Sequence, residues 1–86
     1  MKKHIYCFYN RKISAYGLPI FHTEDVDDMV QITSRDFLAS EPDAQVKLAE
    51  HLLYHLGTFD DVTCTFNLIT PDVILDLGSL IKPKEA

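Results

Sequence analysis

The chain has 86 residues, 47% of them hydrophobic, with four Tyr, five Phe and no Trp. This length predicts one small domain over residues 1–86, which buries only a modest fraction of its surface. No stretch approaches the roughly 18 apolar residues of a membrane span, and the first residues lack the apolar run of a secretory signal. We therefore expect a protein of the cytoplasm that has no membrane partner.

The net charge of −5 is unevenly distributed along the chain. Residues 1–22 carry a charge of +4 with no acidic residue, whereas residues 23–86 carry the other four bases and all 13 acids, a balance of −9. One end of the chain is therefore suited to attract phosphate, and the remainder is suited to repel it.

A β-hairpin is predicted at the start of the chain. The run His4–Tyr9 is rich in β-formers, Asn10–Lys12 interrupts it, and Ile13–His22 resumes it with a Gly and a Pro inside. Because Pro19 cannot donate a hydrogen bond to a neighbouring strand, the second strand should be irregular or lie at an edge of the sheet.

Two helices should follow. Thr23 is the predicted N-cap of the first, which should end near Ala39. Acidic residues fill its first turns, where the helix dipole favours them: Glu24, Asp25, Asp27 and Asp28. Its apolar positions recur at helical spacing: Val26, Met29, Val30, Thr33 and Phe37. Ser40–Asp43 permits a second helix start, with apolar positions at Val46, Ala49, Leu52, Leu53 and Leu56.

The stretch Leu52–Asp61, LLYHLGTFDD, has two interpretations. Local signals favour a helix that ends at Gly57, a residue that suits a left-handed cap. The alternating run Thr63–Thr70, however, predicts a strand that needs a partner, and the segment before the Asp60-Asp61 turn is the nearest one. The helical interpretation would place His51 and His55 on one face, one turn apart, whereas the extended interpretation separates them by roughly 13 Å.

A final helix is predicted after Thr70 as N-cap and Pro71 at its first position. Its apolar face would comprise Val73, Ile74, Leu77, Leu80 and Ile81, and Lys82 and Lys84 would suit its C-terminal end.

The order of these signals resembles the small non-structural protein of gokushoviruses, which are bacteriophages with single-stranded DNA genomes. The likeness spans nearly the whole chain and is most specific at Tyr16–Phe21 (YGLPIF) and Leu53–Asp60 (LYHLGTFD), with Arg35-Asp36-Phe37 between them. This chain departs from the family in having Leu48-Ala49-Glu50 where a Pro and an Asp are frequent, and Cys64 where Gly is frequent.

The resemblance implies a strand from about Leu53 to Phe59, preceded by a helix that ends near Glu50 or His51. It also implies a role in genome replication or packaging, with single-stranded DNA, phage replication or capsid proteins, or a host factor as partners. The expected location is then the cytoplasm of the infected bacterium.

The basic, aromatic N-terminus is the candidate nucleic-acid surface. Its candidate residues for phosphates are Lys2, Lys3, Arg11 and Lys12. Tyr6, Phe8, Tyr9 or Tyr16 could stack on bases, and Tyr6 and Phe8 are the first candidates among them. Alternation puts Tyr6 and Phe8 on one face of the strand and Ile5, Cys7 and Tyr9 on the other, and at least one face must be core. The competing interpretation is that all these aromatic residues are core and the bases belong to a solvated turn.

The other candidate surface is acidic: Glu24, Asp25, Asp27 and Asp28 would bind a basic protein partner without contact to DNA. No catalytic motif is present, so we expect neither an enzyme nor a cofactor. Zinc binding by His51 and His55 would need a helix and two further ligands from His4, His22, Cys7 and Cys64, and we expect no metal site. Cys7 and Cys64 lack CxxC spacing and are predicted to be buried, unpaired side chains.

The predicted fold class is α+β. We expect the element order ββααββα, in which helices cover one face of an antiparallel sheet of about four strands. Tyr and Phe side chains on the other face would contact a second copy or a ligand, and exposed aromatic surface in so small a protein predicts a homodimer.

Overall fold

The computed structural model describes residues 1–81, in which a curled, five-stranded antiparallel sheet packs against two helices. The strands are β1 (Lys2–Asn10), β2 (Ala15–Tyr16), β3 (Ile20–His22), β4 (His51–Asp60) and β5 (Thr65–Asp76). The helices are α1 (Val26–Ala39) and α2 (Pro42–Leu48), and a short 3₁₀ helix (Leu77–Leu80) follows β5. The predicted α+β class is confirmed, although the element order differs from ββααββα at two places.

The first difference is that the second strand is split. β2 pairs with the end of β1 at Tyr9 and Asn10, and β3 pairs with its first half from His4 to Tyr6. Residues 17–19 between them, Gly-Leu-Pro, belong to neither strand. Pro19 therefore interrupts the edge of the sheet, as its missing donor predicts.

Helix α1 begins two residues after the predicted start and ends where predicted, at Ala39. Asp25, and not Thr23, is the N-cap: its carboxylate accepts a hydrogen bond of 2.9 Å from the backbone N–H of Asp28. α2 has no buried residue, because three of the apolar positions assigned to it lie on β4 instead. No helix within residues 1–81 is long and apolar enough to cross a membrane.

The stretch LLYHLGTFDD lies on β4 and is extended, so the helical interpretation of it is wrong. Gly57 does not cap a helix; it has φ +141° and follows a bulge at which Leu56 is the additional residue opposite β1. A side chain there would collide with the Asn67 carbonyl oxygen and lie 2.9 Å from Leu68 Cα. The close approach of β5 thus requires glycine at this position.

The predicted final helix is also wrong, and this is the second difference in element order. β5 continues through Pro71 to Asp76, and only the 3₁₀ helix Leu77–Leu80 follows. Pairing of Val73 and Leu75 with β4 outweighs the local helix signals. Pro71 is tolerated because β5 is an edge strand whose register shifts near it. Lys82 and Lys84 lie outside the described residues.

The core lies between the sheet and α1. Its buried side chains are Tyr6, Met29, Phe37, Leu53 and Leu77, with half-buried apolar side chains around them. The buried side of α1 matches the predicted apolar stripe at Met29, Thr33 and Phe37. Fully burying one such large apolar side chain contributes about 1.5–3 kcal/mol, so this small cluster supplies much of the stability of the domain.

The two cysteines are unpaired, as predicted, but only Cys7 is buried. The prediction that Cys64 is buried is wrong: it is exposed in the turn between β4 and β5, with φ +56°. This is the left-handed region, which a side chain disfavours by about 1–2 kcal/mol.

The Cys64→Gly variant should therefore be more stable than the natural chain, by about 1 kcal/mol after the added flexibility of the unfolded chain is subtracted. Urea unfolding followed by circular dichroism measures the difference. Cys64→Ala is the matched control, because it removes the thiol and keeps the disfavoured conformation. An equal gain in both variants would contradict a backbone origin.

Candidate nucleic-acid interface

The sheet has one covered and one open face. Tyr6 and Leu53 belong to the core beneath α1, and Phe8 packs against it, so these residues mark the covered face. Alternation along β1 places Ile5, Cys7 and Tyr9 on the opposite side, which we call the open face. Neither helix contributes to this face, and aromatic side chains occupy most of it.

Three tyrosines gather at the end of the open face near the hairpin turn, and we call them the tyrosine cluster: Tyr9, Tyr16 and Tyr54. Tyr9 is opposite Tyr16 in the ladder, with ring centroids 4.7 Å apart. The Tyr54 ring stands edge-on to Tyr16 at 5.4 Å. Tyr16 is 56% exposed, so its ring is accessible to a ligand.

A phenylalanine cluster, Phe21, Phe59 and Phe66, occupies the other end of the open face. Phe59 and Phe66 are cross-strand neighbours with ring centroids 4.7 Å apart, and Phe21 lies edge-on to both. The buried side chains of Ile5 and Cys7 lie on β1 between the two clusters. The open face therefore carries a nearly continuous row of apolar and aromatic side chains.

The four candidate bases are not brought together. Lys2 and Lys3 begin β1 and Arg11 and Lys12 follow it, so the pairs are separated by roughly 25–30 Å. Lys2 is opposite Asp60, and the charge of Lys3 helps to lower the pKa of Asp61, after the larger effect of a hydrogen bond from the N-terminal amine. The first pair of bases is thus adjacent to carboxylates.

Arg11 has a structural role at the hairpin turn. Its guanidinium Nη2 donates to the Ala49 carbonyl oxygen at 3.0 Å and pairs with Asp76 Oδ1 at 3.2 Å. It therefore connects the turn to the end of α2 and to the start of the 3₁₀ helix. Lys12 is exposed beside it, and no carboxylate within residues 1–81 lies within ion-pair distance of its amine.

Tyr6 cannot stack on a base in this fold, because it is 0% exposed. Its hydroxyl donates to the Glu24 carbonyl oxygen at 2.7 Å, which fixes the start of α1 against the sheet. Burial, followed by the charges of Asp25, Glu24 and Asp28, raises the pKa of this hydroxyl to about 12. Tyr6 is a core residue and remains protonated at neutral pH.

Phe8 likewise faces the helices. It helps to line a cavity of about 220 Å³ together with Thr33, Phe37, Leu48, His51 and Leu77. The His51 imidazole is edge-on to the Phe8 ring at 6.3 Å, and its buried Nδ1 has no hydrogen-bond partner within residues 1–81. The predicted stacking role therefore does not fit Phe8 either.

The acidic candidates lie at the start of α1. The Asp25 side chain is engaged in capping, and Glu24 is half-buried beside the Tyr6 hydroxyl. Asp27 and Asp28 are exposed in the first turn, where the helix dipole stabilises them. These carboxylates belong to the helical layer and are therefore separate from the open face.

The histidines do not form a metal site in the described part of the chain, where no group of three or more suitable ligands occurs. Because His51 and His55 lie on an extended strand, their Cα atoms are roughly 13 Å apart. His55 instead contacts His4, with Nε2 and Nδ1 3.1 Å apart, so one ring donates the proton and the other accepts it.

Of the four stacking candidates, the structure thus favours Tyr9 and Tyr16 over Tyr6 and Phe8, and it adds Tyr54. Alternation had separated Tyr9 from Tyr6 and Phe8 but did not tell which face the helices cover. Tyr16 and Tyr54 join Tyr9 through the registers of β2 and β4, which local patterns do not specify.

No known family, curated protein or solved structure matches this chain.

Stability should fall as the pH drops below about 6.5. Desolvation, and then the charge of His4, lower the pKa of His55 from its ordinary value of 6.5, although the Gly57 backbone and Asp72 partly oppose them. At pH values between the folded-state and the unfolded-state pKa of His55, the unfolded chain is protonated to a greater extent than the folded chain. Lowering the pH therefore favours unfolding. Urea unfolding between pH 7 and pH 5 measures the slope.

The control is His55→Gln, which keeps a hydrogen-bonding group beside His4 but does not titrate. Its free energy of unfolding should depend less on pH over this interval. Identical slopes for the two proteins would show that His55 is not the responsible group.

Proposed function

We propose that this protein is a non-enzymatic accessory protein that contacts single-stranded nucleic acid through the open face of its N-terminal hairpin. The resemblance to the gokushovirus proteins implies a role in replication or packaging of a single-stranded DNA phage genome, through contact with DNA or with the replication and packaging machinery. The observation that supports the contact is the accessible tyrosine cluster, which adjoins the basic turn at Arg11 and Lys12.

Stacking is the main physical basis of the proposal. A base that stacks on an aromatic side chain contributes about 1–3 kcal/mol, whatever its identity. Tyr16 offers an exposed ring. The Tyr9 ring on the neighbouring strand β1 and the Tyr54 ring on β4 both pack against it. The ring is therefore held in place before a base arrives, which reduces the entropic cost of binding.

Charge makes the contact weak. Each phosphate that a basic residue neutralises releases counterions, so affinity falls with added salt in proportion to the number of such contacts. Lys12 is the base at the turn without an ion pair in residues 1–81, since Arg11 is paired with Asp76. With a net charge of −5 for the whole chain, the protein should bind measurably only at low salt.

A second candidate function is supported by the acidic start of α1. Asp27 and Asp28 are exposed and have no ion-pair partner among residues 1–81. They would attract a basic phage or host protein without involving the open face. This function takes precedence if the protein does not bind nucleic acid.

The Tyr16→Ala variant should bind single-stranded DNA about 5- to 100-fold more weakly than the natural chain, because one stacking platform is lost. Fluorescence anisotropy of a labelled oligothymidine, titrated at low and moderate salt, measures the change. Truncation of Tyr16 should leave the core intact, since its ring is largely exposed on a two-residue strand.

Leu18→Ala is the matched control, because Leu18 is 87% exposed in the same edge segment and has no ring. It should bind as the natural chain does. Lys12→Gln should reduce the salt dependence by about one counterion, and Arg35→Gln on α1 should not. A flat titration of the natural chain at low salt would exclude the proposal and favour the acidic surface.

A further inference from the structure

Strand β5 presents a long edge without a partner strand in residues 1–81. It has 12 residues and is at the end of the sheet order β2-β1-β4-β5. Its residues from Thr65 to Val73 are all exposed. Natural proteins usually protect such an edge with short strands or charged side chains, because its free N–H and C=O groups can pair with another strand.

The opposite edge of the sheet has that protection. It consists of the two-residue β2 and the three-residue β3, separated by Gly17, Leu18 and Pro19. β5, by contrast, carries no charged residue between Thr65 and Pro71, and the preceding turn adds none after Asp61. The two edges therefore differ in their capacity to bind a strand.

We propose that β5 pairs antiparallel with β5 of a second copy of this chain, so that two sheets join edge to edge in a symmetric dimer. This goes beyond the proposed nucleic-acid contact and does not depend on it. The uncharged segment suits a second copy, because two chains of net charge −5 repel each other least where neither carries a charge. Pairing of identical segments also stops at two copies, because the opposite edge of each sheet, formed by the short strands β2 and β3, is protected against pairing with a further strand.

The accessible surface supports a second copy. The chain exposes 6051 Å², whereas a compact monomer of 9.8 kDa should expose about 5,200 Å². The chain therefore leaves about 850 Å² more surface exposed than a compact monomer of this mass. Exposed apolar side chains on β5 account for part of this surface: Phe66, Leu68, Ile69 and Val73.

The backbone of β5 sets the register. The Asn67 carbonyl oxygen lies against Gly57 on β4, so the main-chain groups of Asn67 face inward. Alternation then directs those of Phe66 and Leu68 outward, where they are available to a second strand. A twofold axis at Asn67 would place Phe66 opposite Leu68 of the partner subunit, and the two Asn67 residues opposite each other.

This register keeps like charges apart. Between Asp61 and Asp72 the chain carries no charged residue, so the residues that pair across the axis are all uncharged. Because β5 begins at Thr65, a twofold axis at Asn67 limits the paired segment to the five residues from Thr65 to Ile69.

The oligomeric state is the first test. Light scattering coupled to size exclusion, at about 100 μM chain, should give twice the chain mass of 9.8 kDa. Leu68→Lys should halve that mass, because Leu68 is 70% exposed and a lysine there opposes edge pairing without entering the core. Val62→Lys should remain dimeric, since Val62 is 80% exposed but lies in the turn before β5.

Disulfide formation provides a second test, which does not require a substitution that disrupts pairing at the edge. Directly opposed residues in a non-hydrogen-bonded antiparallel pair have Cα atoms about 4.5 Å apart, within reach of a disulfide. Asn67→Cys in a Cys64→Ser background should therefore form a crosslinked dimer under mild oxidation. Ser79→Cys in the same background, exposed on the 3₁₀ helix, should crosslink at least tenfold more slowly.

A monomeric natural chain at this concentration would overturn the proposal. A dimer that Leu68→Lys leaves intact would also overturn it, as would equal rates of crosslinking for the Asn67→Cys and Ser79→Cys variants. Monomeric Leu68→Lys together with rapid crosslinking of Asn67→Cys would establish the interface and its register.

Discussion

The structure depends on the antiparallel pairing of β1 with β4. This ladder runs from Lys2 opposite Asp60 to Asn10 opposite His51, and it joins the start of the chain to a segment in its second half. It makes β4 a strand in spite of local helix signals, and it gives β5 its pairing partner. It also sets the two faces, because Tyr6 and Leu53 point to α1 while Cys7 and Tyr54 point away. The bulge at Leu56 and the absence of a side chain at Gly57 allow β5 to approach this ladder closely.

The sequence predicted the parts of the fold that depend on short-range chemistry. The first strand, the irregular second strand at Pro19 and the end of α1 at Ala39 follow from local propensity and turn residues. The sequence did not predict elements that depend on pairing between distant segments. Pro71 with Thr70 before it is a strong helix start in isolation, yet the pairing of β5 with β4 extends the strand beyond it. For β4, the resemblance to the gokushovirus proteins indicated the strand that local signals did not.

Only some residues of the candidate surface could be predicted from the sequence. An aromatic surface near a basic hairpin turn follows from composition, and the structure supplies one at Tyr9 and Tyr16. Tyr6 and Phe8 were chosen because alternation defines two faces without telling which one the helices cover. Arg11 has the residue type of a phosphate ligand, but its contacts with Ala49 and Asp76 give it a structural role. If β5 pairs with its copy, two open faces lie side by side and form a longer platform for a single strand.

The most direct test of a nucleic-acid surface on the open face is an NMR titration of the isotope-labelled protein with oligothymidine at low salt. We expect chemical-shift changes in the rings of Tyr9, Tyr16 and Tyr54 and in the amides of β2. The amides of α1, on the covered side of the sheet, should keep their positions. Changes confined to the helices, or no changes at all, would contradict the assignment of the open face as the functional surface.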